Sequence, residues 1–220
     1  MKSKVINHKN NKRAFTLIEM IGVLAVIAIL AAVLIPKVFE AINNSRINNS
    51  SLTCGSVKTA IADHYAKFGG LNIDGSSGAG VAITAIPFDK YDQVLLKEQF
   101  MDKLFAVKIG DGTNGVSNTR VQLAALPATT GGAVAVGAAE ASAATSSGFN
   151  LSGVGGTNEC VGSYVVQGII TGVAEADAQA LSQRIDGNEL STPLGTPDTA
   201  GRVKYASGSP TTVFVYLTHR

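Results

Sequence analysis

The sequence has no tryptophan and only two cysteines and three histidines among its 220 residues. Two cysteines, Cys54 and Cys160, suit neither a zinc cluster nor a CxxC redox motif. Beyond residue 14 the only histidines are His64 and His219, so few residues could serve as the general base of a Ser–His–Asp site. The glycine-rich strings GSSGAG and GVGG lack the preceding strand and following helix of a phosphate-binding loop. The sequence therefore favours structural or solvated roles for both histidines and indicates no enzyme.

Charge is also scarce, at 15% of residues, and it is unevenly placed. The first 14 residues contain no acid and five basic residues, Lys2, Lys4, Lys9, Lys12 and Arg13. Without those five, 13 Lys and Arg face 16 Asp and Glu, which gives the remainder a net charge of −3. A basic face that would bind nucleic acid is therefore not supported, and we expect no nucleic-acid partner.

A long apolar run follows the basic segment. Residues 15–35 contain a single ionisable side chain, Glu19, and a helix of this length spans about 30 Å of hydrocarbon. A secretory signal has an apolar core of about 7–15 residues and then a small-residue cleavage site, whereas Pro36 and Lys37 follow this run. The positive-inside rule places residues 1–14 in the cytoplasm and the rest of the chain outside.

The carboxylate of Glu19 is the unusual feature of this run. A charge inside the bilayer is costly, so Glu19 indicates either a function or a side chain that snorkels to the interface. The string KRAFTLIE, residues 12–19, resembles the processing site of type IV prepilins and type II secretion pseudopilins. The resemblance covers roughly the first 55–60 residues, including Pro36 within the helix.

The resemblance implies that a prepilin peptidase in the inner membrane cuts between Ala14 and Phe15 and methylates the new amino group of Phe15. The family usually has glycine where this chain has Ala14. Methylation keeps the positive charge, so Glu19 can pair with the Phe15 ammonium of a neighbouring subunit in an apolar bundle. In this interpretation Glu19 sets the axial register between neighbouring subunits of a filament.

The apolar helix is predicted to continue as an amphipathic helix over residues 36–68. Pro36 removes one backbone donor and predicts a kink or local melting, and the resemblance implies unwinding over residues 28–36 in a filament. The apolar side of the second half recurs at helical spacing: Ile47, Cys54, Val57, Ile61, His64 or Tyr65, and Phe68. Gly69 and Gly70 are predicted to end the helix.

Residues 69–220 are predicted to form an α+β head domain. Helices are expected at 89–104 and 174–185, strands at 107–109, 120–126, 161–173, 203–206 and 211–217, and loops at 71–82 and 127–156. In an exported protein Cys54 and Cys160 most simply form one disulfide. The acidic loop could hold calcium, although a solvated turn is the simpler interpretation; its oxygen ligands would be Asp186, Asn188, Glu189 and Asp198.

The expected fold class is α+β: a long N-terminal helix, membrane-spanning in its first half, that packs on a small antiparallel β-sheet head. The resemblance implies a structural subunit that is cut, methylated and polymerised through this helix into a type IV pilus, with itself, other pilins, the prepilin peptidase and an inner-membrane assembly platform as partners. A type II secretion pseudopilin or a minor pilin is the alternative. The other class of function is an uncut receptor or enzyme that is anchored in the membrane by a single span. No cofactor or metal is expected apart from the calcium option.

Overall fold

The computed structural model describes residues 15–71, 90–111, 119–125, 148–153, 159–160 and 164–219. The predicted leader at 1–14, including Ala14, lies outside these ranges. So do most of the predicted loops at 71–82 and 127–156.

The first helix, α1, runs from Leu17 to Phe68. It contributes to two compact units, of which one ends at Asn43 and the other begins at Asn44. The backbone stays helical through Pro36. Local melting around Pro36 is therefore not a property of this isolated chain, and unwinding within a filament stays a prediction.

The half of α1 in the second unit has one buried side, as its apolar spacing predicts. The buried residues recur at steps of three or four: Ile47, Ser50, Cys54, Val57, Ala60, Ile61 and His64. Gly69 follows with a φ of +73° and its N–H donates to the Tyr65 carbonyl, 2.8 Å. A left-handed glycine just past the last turn is a common helix stop, which confirms the predicted end.

The head contains two further helices, α2 (Tyr91–Lys97) and α3 (Glu175–Asp186), and one sheet. The strands are β1 (Arg120–Ala125), β2 (Tyr164–Val173), β3 (Val203–Tyr205) and β4 (Thr211–His219). Their order in the sheet is β1-β2-β4-β3, and every neighbouring pair is antiparallel. The α+β architecture, with a long apolar helix and a small antiparallel sheet, is confirmed.

The two faces of the sheet bury different clusters, because successive strand residues point to opposite sides. On β2, Val166 and Ile170 belong to the main core, which also contains the buried side of α1. Their neighbours Val165 and Ile169 belong to a second cluster on the other face. The second cluster also contains Phe149, Cys160 and Phe214.

Two predicted elements differ from the structure. The helix expected at 89–104 is only α2, and Gln99 just beyond it has a φ of +63°. The strand expected at 107–109 is irregular, although Val107 and Ile109 are buried. The turn after it explains the difference: Gly110 has a φ of +70°, and the Asp111 N–H donates to the Thr171 carbonyl on β2, 3.0 Å. An added Cβ at Gly110 would lie 2.2 Å from that carbonyl oxygen.

Candidate processing and assembly site

Thr16 and Glu19 form a reciprocal cap at the start of α1. The Thr16 N–H and hydroxyl both donate to Glu19 Oε2, at 2.8 and 2.7 Å, and the Glu19 N–H donates to Thr16 Oγ1, 3.3 Å. The Thr16 carbonyl accepts from Met20 N–H, which makes Thr16 the N-cap residue. This is a capping box, in which a threonine and a glutamate three residues later satisfy each other's backbone donors.

The sequence reasoning missed this role of Glu19. The signal was present, because Thr16-Leu17-Ile18-Glu19 matches the T-x-x-E pattern of a capping box directly before an apolar helix. Both bonds from Thr16 end at Oε2, and within the described ranges no hydrogen bond to Oε1 is seen. One carboxylate can therefore hold its own helix start and still offer an oxygen to an external cation.

The apolar half of α1 presents its side chains outward. Phe15 is 82% exposed, and the large apolar side chains through Ile42 are all exposed. Among the described residues, α1 is the one helix long and apolar enough to cross a membrane, by length and composition. Water does not favour an apolar surface of this extent, so it requires lipid or neighbouring protein.

Comparison with known proteins bears on this segment. Residues 9–35 match the family model described as the prokaryotic N-terminal methylation motif. The chain carries that motif. Ala14, Phe15 and Glu19 all lie within its matched residues.

A fimbrial relative extends the similarity beyond the methylation motif. The fimbrial protein EcpC of Eikenella corrodens is 33% identical over 76 residues, which cover 34% of this chain and 49% of that protein. The chain thus matches about half the length of this curated relative. No solved structure matches significantly.

The predicted Cys54–Cys160 disulfide is wrong for this structure. Both cysteines are buried thiols that are not bonded to each other. Cys54 belongs to the main core on the helix-bearing face of the sheet, and Cys160 belongs to the cluster on the opposite face. A disulfide needs Cα atoms within about 7 Å and side chains that face each other, whereas these two side chains pack on opposite faces of the sheet.

We therefore expect both thiols to react with a thiol reagent once the protein is unfolded, without any reductant. Burial raises the pKa of Cys54 to about 12, and burial with the nearby Glu159 raises that of Cys160 to about 11. Because the thiolate is the reactive form, we expect negligible maleimide labelling of native protein and two labels per chain after denaturation without reductant. Mass spectrometry counts the labels. Labelling that appears only after reduction would show that the two cysteines form a disulfide after all.

His64 has the structural role that the sequence favoured. Its Nε2 lies 2.8 Å from Glu98 Oε2, and its Nδ1 lies 3.3 Å from the Tyr91 hydroxyl. Burial lowers the pKa of His64 and raises that of Glu98, so both shifts favour neutral forms. The pair joins α1 to the turn after α2. His219 is half-buried, and its Nδ1 is paired with the Tyr216 hydroxyl.

The acidic loop is a folded part of the head, so a solvated turn is wrong for two of its acids. Asp186 accepts the backbone N–H groups of Arg202 and Val203, at 2.9 and 2.8 Å, and pairs with Arg202 Nε at 3.0 Å. Asp198 is buried and accepts from the Ser182 hydroxyl, 2.8 Å. Within the described ranges no group of three His, Cys, Asp or Glu is placed to hold a metal ion. These acids bind protein donors, and calcium gains no support from their geometry.

Proposed function

We propose that this chain is a structural subunit of a type IV pilus, cut before Phe15, N-methylated and polymerised through α1. The observation that supports this most strongly is the combination of a methylation motif with a helix whose apolar side chains are exposed. Cleavage at the motif would make Phe15 the new N-terminus, directly before α1. The exposed apolar side chains of α1 can then pack against other subunits in a filament. The precursor crosses the inner membrane once with its leader in the cytoplasm, and the product is a filament outside it.

Glu19 is the assembly residue in this proposal. Its cap with Thr16 fixes the carboxylate at the first turn of α1, close in sequence to the new Phe15 ammonium. In a parallel bundle this carboxylate accepts the ammonium of a neighbouring subunit, and pairing makes both buried charges tolerable. No step in this function requires catalysis by the chain itself.

A type II secretion pseudopilin or minor pilin remains the second candidate, because its subunits would carry the same N-terminal segment. The fimbrial name of the relative favours the pilus for this chain. A filament sheared from the cell surface that contains this chain as its main protein supports a major pilin. Traces of the chain in filaments built mainly from another protein identify a minor subunit.

Processing gives the first test of the proposal. We expect the mature chain to begin at N-methyl-phenylalanine 15, because the basic leader meets the apolar run between Ala14 and Phe15. Intact-mass analysis of filaments, or of the membrane fraction, would show the loss of residues 1–14 and the gain of one methyl group. Retention of the leader in assembled material would favour the uncut, single-span alternative.

A further inference from the structure

A buried acid faces α1 from the turn that follows α2. Glu98 is the C-cap residue of α2, and its side chain is only 3% exposed. Its Oε2 lies 2.8 Å from Nε2 of His64, which is on the buried side of α1. Two titratable side chains are thus enclosed together at the point where the turn meets α1.

Aromatic rings surround this pair. The centres of the rings of Phe68, Tyr91 and Phe100 lie 5.0, 5.9 and 5.5 Å from the centre of the His64 ring. Phe68 belongs to α1, Tyr91 to α2 and Phe100 to the turn, so each of the three segments contributes one ring. Apolar rings cannot replace the hydration that an ionised group loses on burial.

Lys67 of α1, Tyr91 of α2 and Glu98 of the turn are the titratable groups that face His64 in the described part of the chain. Burial raises the pKa of Glu98 despite the nearby Lys67 ammonium. Burial also lowers the pKa of His64, with the Gly70 backbone opposing the shift and Lys67 adding to it. Both directions favour a neutral acid beside a neutral ring.

The second oxygen of Glu98 points to the same form without any titration argument. Oε1 is buried, and within the described ranges it has no hydrogen-bond partner. An ionised carboxylate needs donors at both oxygens, whereas a protonated acid is itself a donor and leaves less to satisfy. The enclosure therefore fits a protonated Glu98 better than an ionised one.

We propose that protonated Glu98 is a pH-sensitive latch that holds the turn, residues 98–104, on α1. In the closed form its proton lies towards Nε2 of His64. Once that proton is lost, the carboxylate gains hydration only by leaving the enclosure, and the turn moves with it. Phe105 stays in place, because its N–H donates to the buried Asp92 of α2 at 3.2 Å.

The proton count gives the sign of the pH dependence. The closed form holds one proton, on Glu98. In the open form both side chains return to ordinary pKa values, about 4.3 for Glu98 and about 6.5 for His64. Between these values the open form also holds one proton, on His64, so opening does not depend on pH. Above about pH 6.5 the open form holds none, and opening becomes about tenfold more favourable with each pH unit.

Hydrogen–deuterium exchange of the full chain in detergent measures the opening. The N–H groups of Phe100 and Met101 both donate to the Leu95 carbonyl, at 2.9 and 3.2 Å, and they exchange when the turn leaves. We expect their protection, corrected for the intrinsic rate at each pH, to be constant from about pH 5 to 6 and to fall about tenfold per unit from about pH 7 to 8.5. The amides of α3 are the internal control and should show no such fall. Constant protection of the turn from about pH 7 to 8.5 would overturn the latch.

Glu98→Gln gives the matched variant. Glutamine has the shape of a protonated glutamate but no proton to lose in this range, so the protection of its turn should be constant above about pH 7. Lys97→Gln changes the charge of the exposed neighbouring residue and should keep the wild-type slope. An unchanged slope in Glu98→Gln would show that another group drives the opening.

Infrared spectroscopy of the full chain at pH 7 tests the protonated acid itself. The wild-type spectrum minus that of Glu98→Gln should contain the carbonyl band of a carboxylic acid in place of carboxylate bands. The subtraction removes Asp198, whose pKa is also raised by burial. A difference that contains only carboxylate bands would mean that Glu98 is ionised in the closed form, and the latch would be wrong. The exchange slope of the wild-type chain decides the question by itself if Glu98→Gln does not fold.

Discussion

Glu19→Ala should abolish filament formation while leaving the head folded and the precursor inserted. The change removes the partner of the neighbouring Phe15 ammonium and leaves that charge unpaired in an apolar bundle, at a cost on the order of 3–5 kcal/mol. The span becomes more apolar, so insertion should be preserved. Within the described residues the side chain of Glu19 is seen to bond only to Thr16, so the stability of the head should be unchanged. Sheared and membrane fractions, compared by immunoblot, measure the result.

The capping box makes Glu19→Gln the decisive control. Glutamine is accepted at this position of a capping box, so it keeps the helix start while removing the negative charge. We expect Glu19→Gln to fail in assembly as Glu19→Ala does. Wild-type filament yield from Glu19→Gln would mean that capping, and not pairing, is the function of Glu19. Wild-type yield from both variants would leave only the snorkelling interpretation.

Cleavage should survive in both variants, because the peptidase site lies on the leader side of Phe15. Intact mass of the membrane-resident chain checks this. An uncut Glu19→Gln chain would show that the variant fails before assembly, and the pairing argument would then lose its support.

The elements that the sequence predicted well are those with a local period. The buried side of α1 followed from apolar spacing, and α3 and β2–β4 followed from β-rich or helical runs between turn residues. Residues 107–109 were also predicted to form a strand, yet they form none. Alternation of apolar and polar residues indicates that one side of a segment is buried, but a strand also needs a neighbouring strand to pair with. Here the chain turns at Gly110, which lies against the Thr171 carbonyl.

The cysteine error has the same origin. Helical spacing correctly placed Cys54 on the buried side of α1, and the β-rich stretch correctly placed Cys160 beside a strand. Which face of the sheet each thiol reaches depends on strand pairing across long separations in sequence. The cysteine count and the predicted export favoured a bridge, but the two thiols are buried in different clusters on opposite faces of the sheet.

Lys204 is the buried group that no sequence signal indicated. Lysine is normally exposed, and β3 is only three residues long. Val203 and Tyr205 point into the main core, so the side chain between them points to the opposite face. There Nζ donates to the Gly148 carbonyl at 2.6 Å and lies 4.4 Å from the centre of the Phe149 ring.

Burial makes the ammonium form of Lys204 unfavourable and lowers its pKa to about 7, although the nearby Cys160 opposes the shift. A lysine in an unfolded chain keeps its proton up to about pH 10.4. Between pH 7 and 10 the unfolded state therefore binds more protons than the folded state. The free energy of unfolding should accordingly rise with pH across this window and should be lowest, for this group, below pH 7.

Lys204→Met should remove this dependence and stabilise the head at low pH. Methionine has similar length and no charge, so it avoids the cost of burying an ammonium but leaves the Gly148 carbonyl without its donor. We expect a net gain of about 1–3 kcal/mol at pH 6 that shrinks to zero or reverses by pH 10. Denaturant unfolding of the full chain in detergent, followed from pH 6 to 10, measures it. Lys58→Met, at an exposed lysine of α1, is the control that should keep the wild-type slope. Parallel curves for Lys204→Met and wild type would show that the rings and the carbonyl stabilise a permanently charged Lys204, and the assigned shift would be wrong.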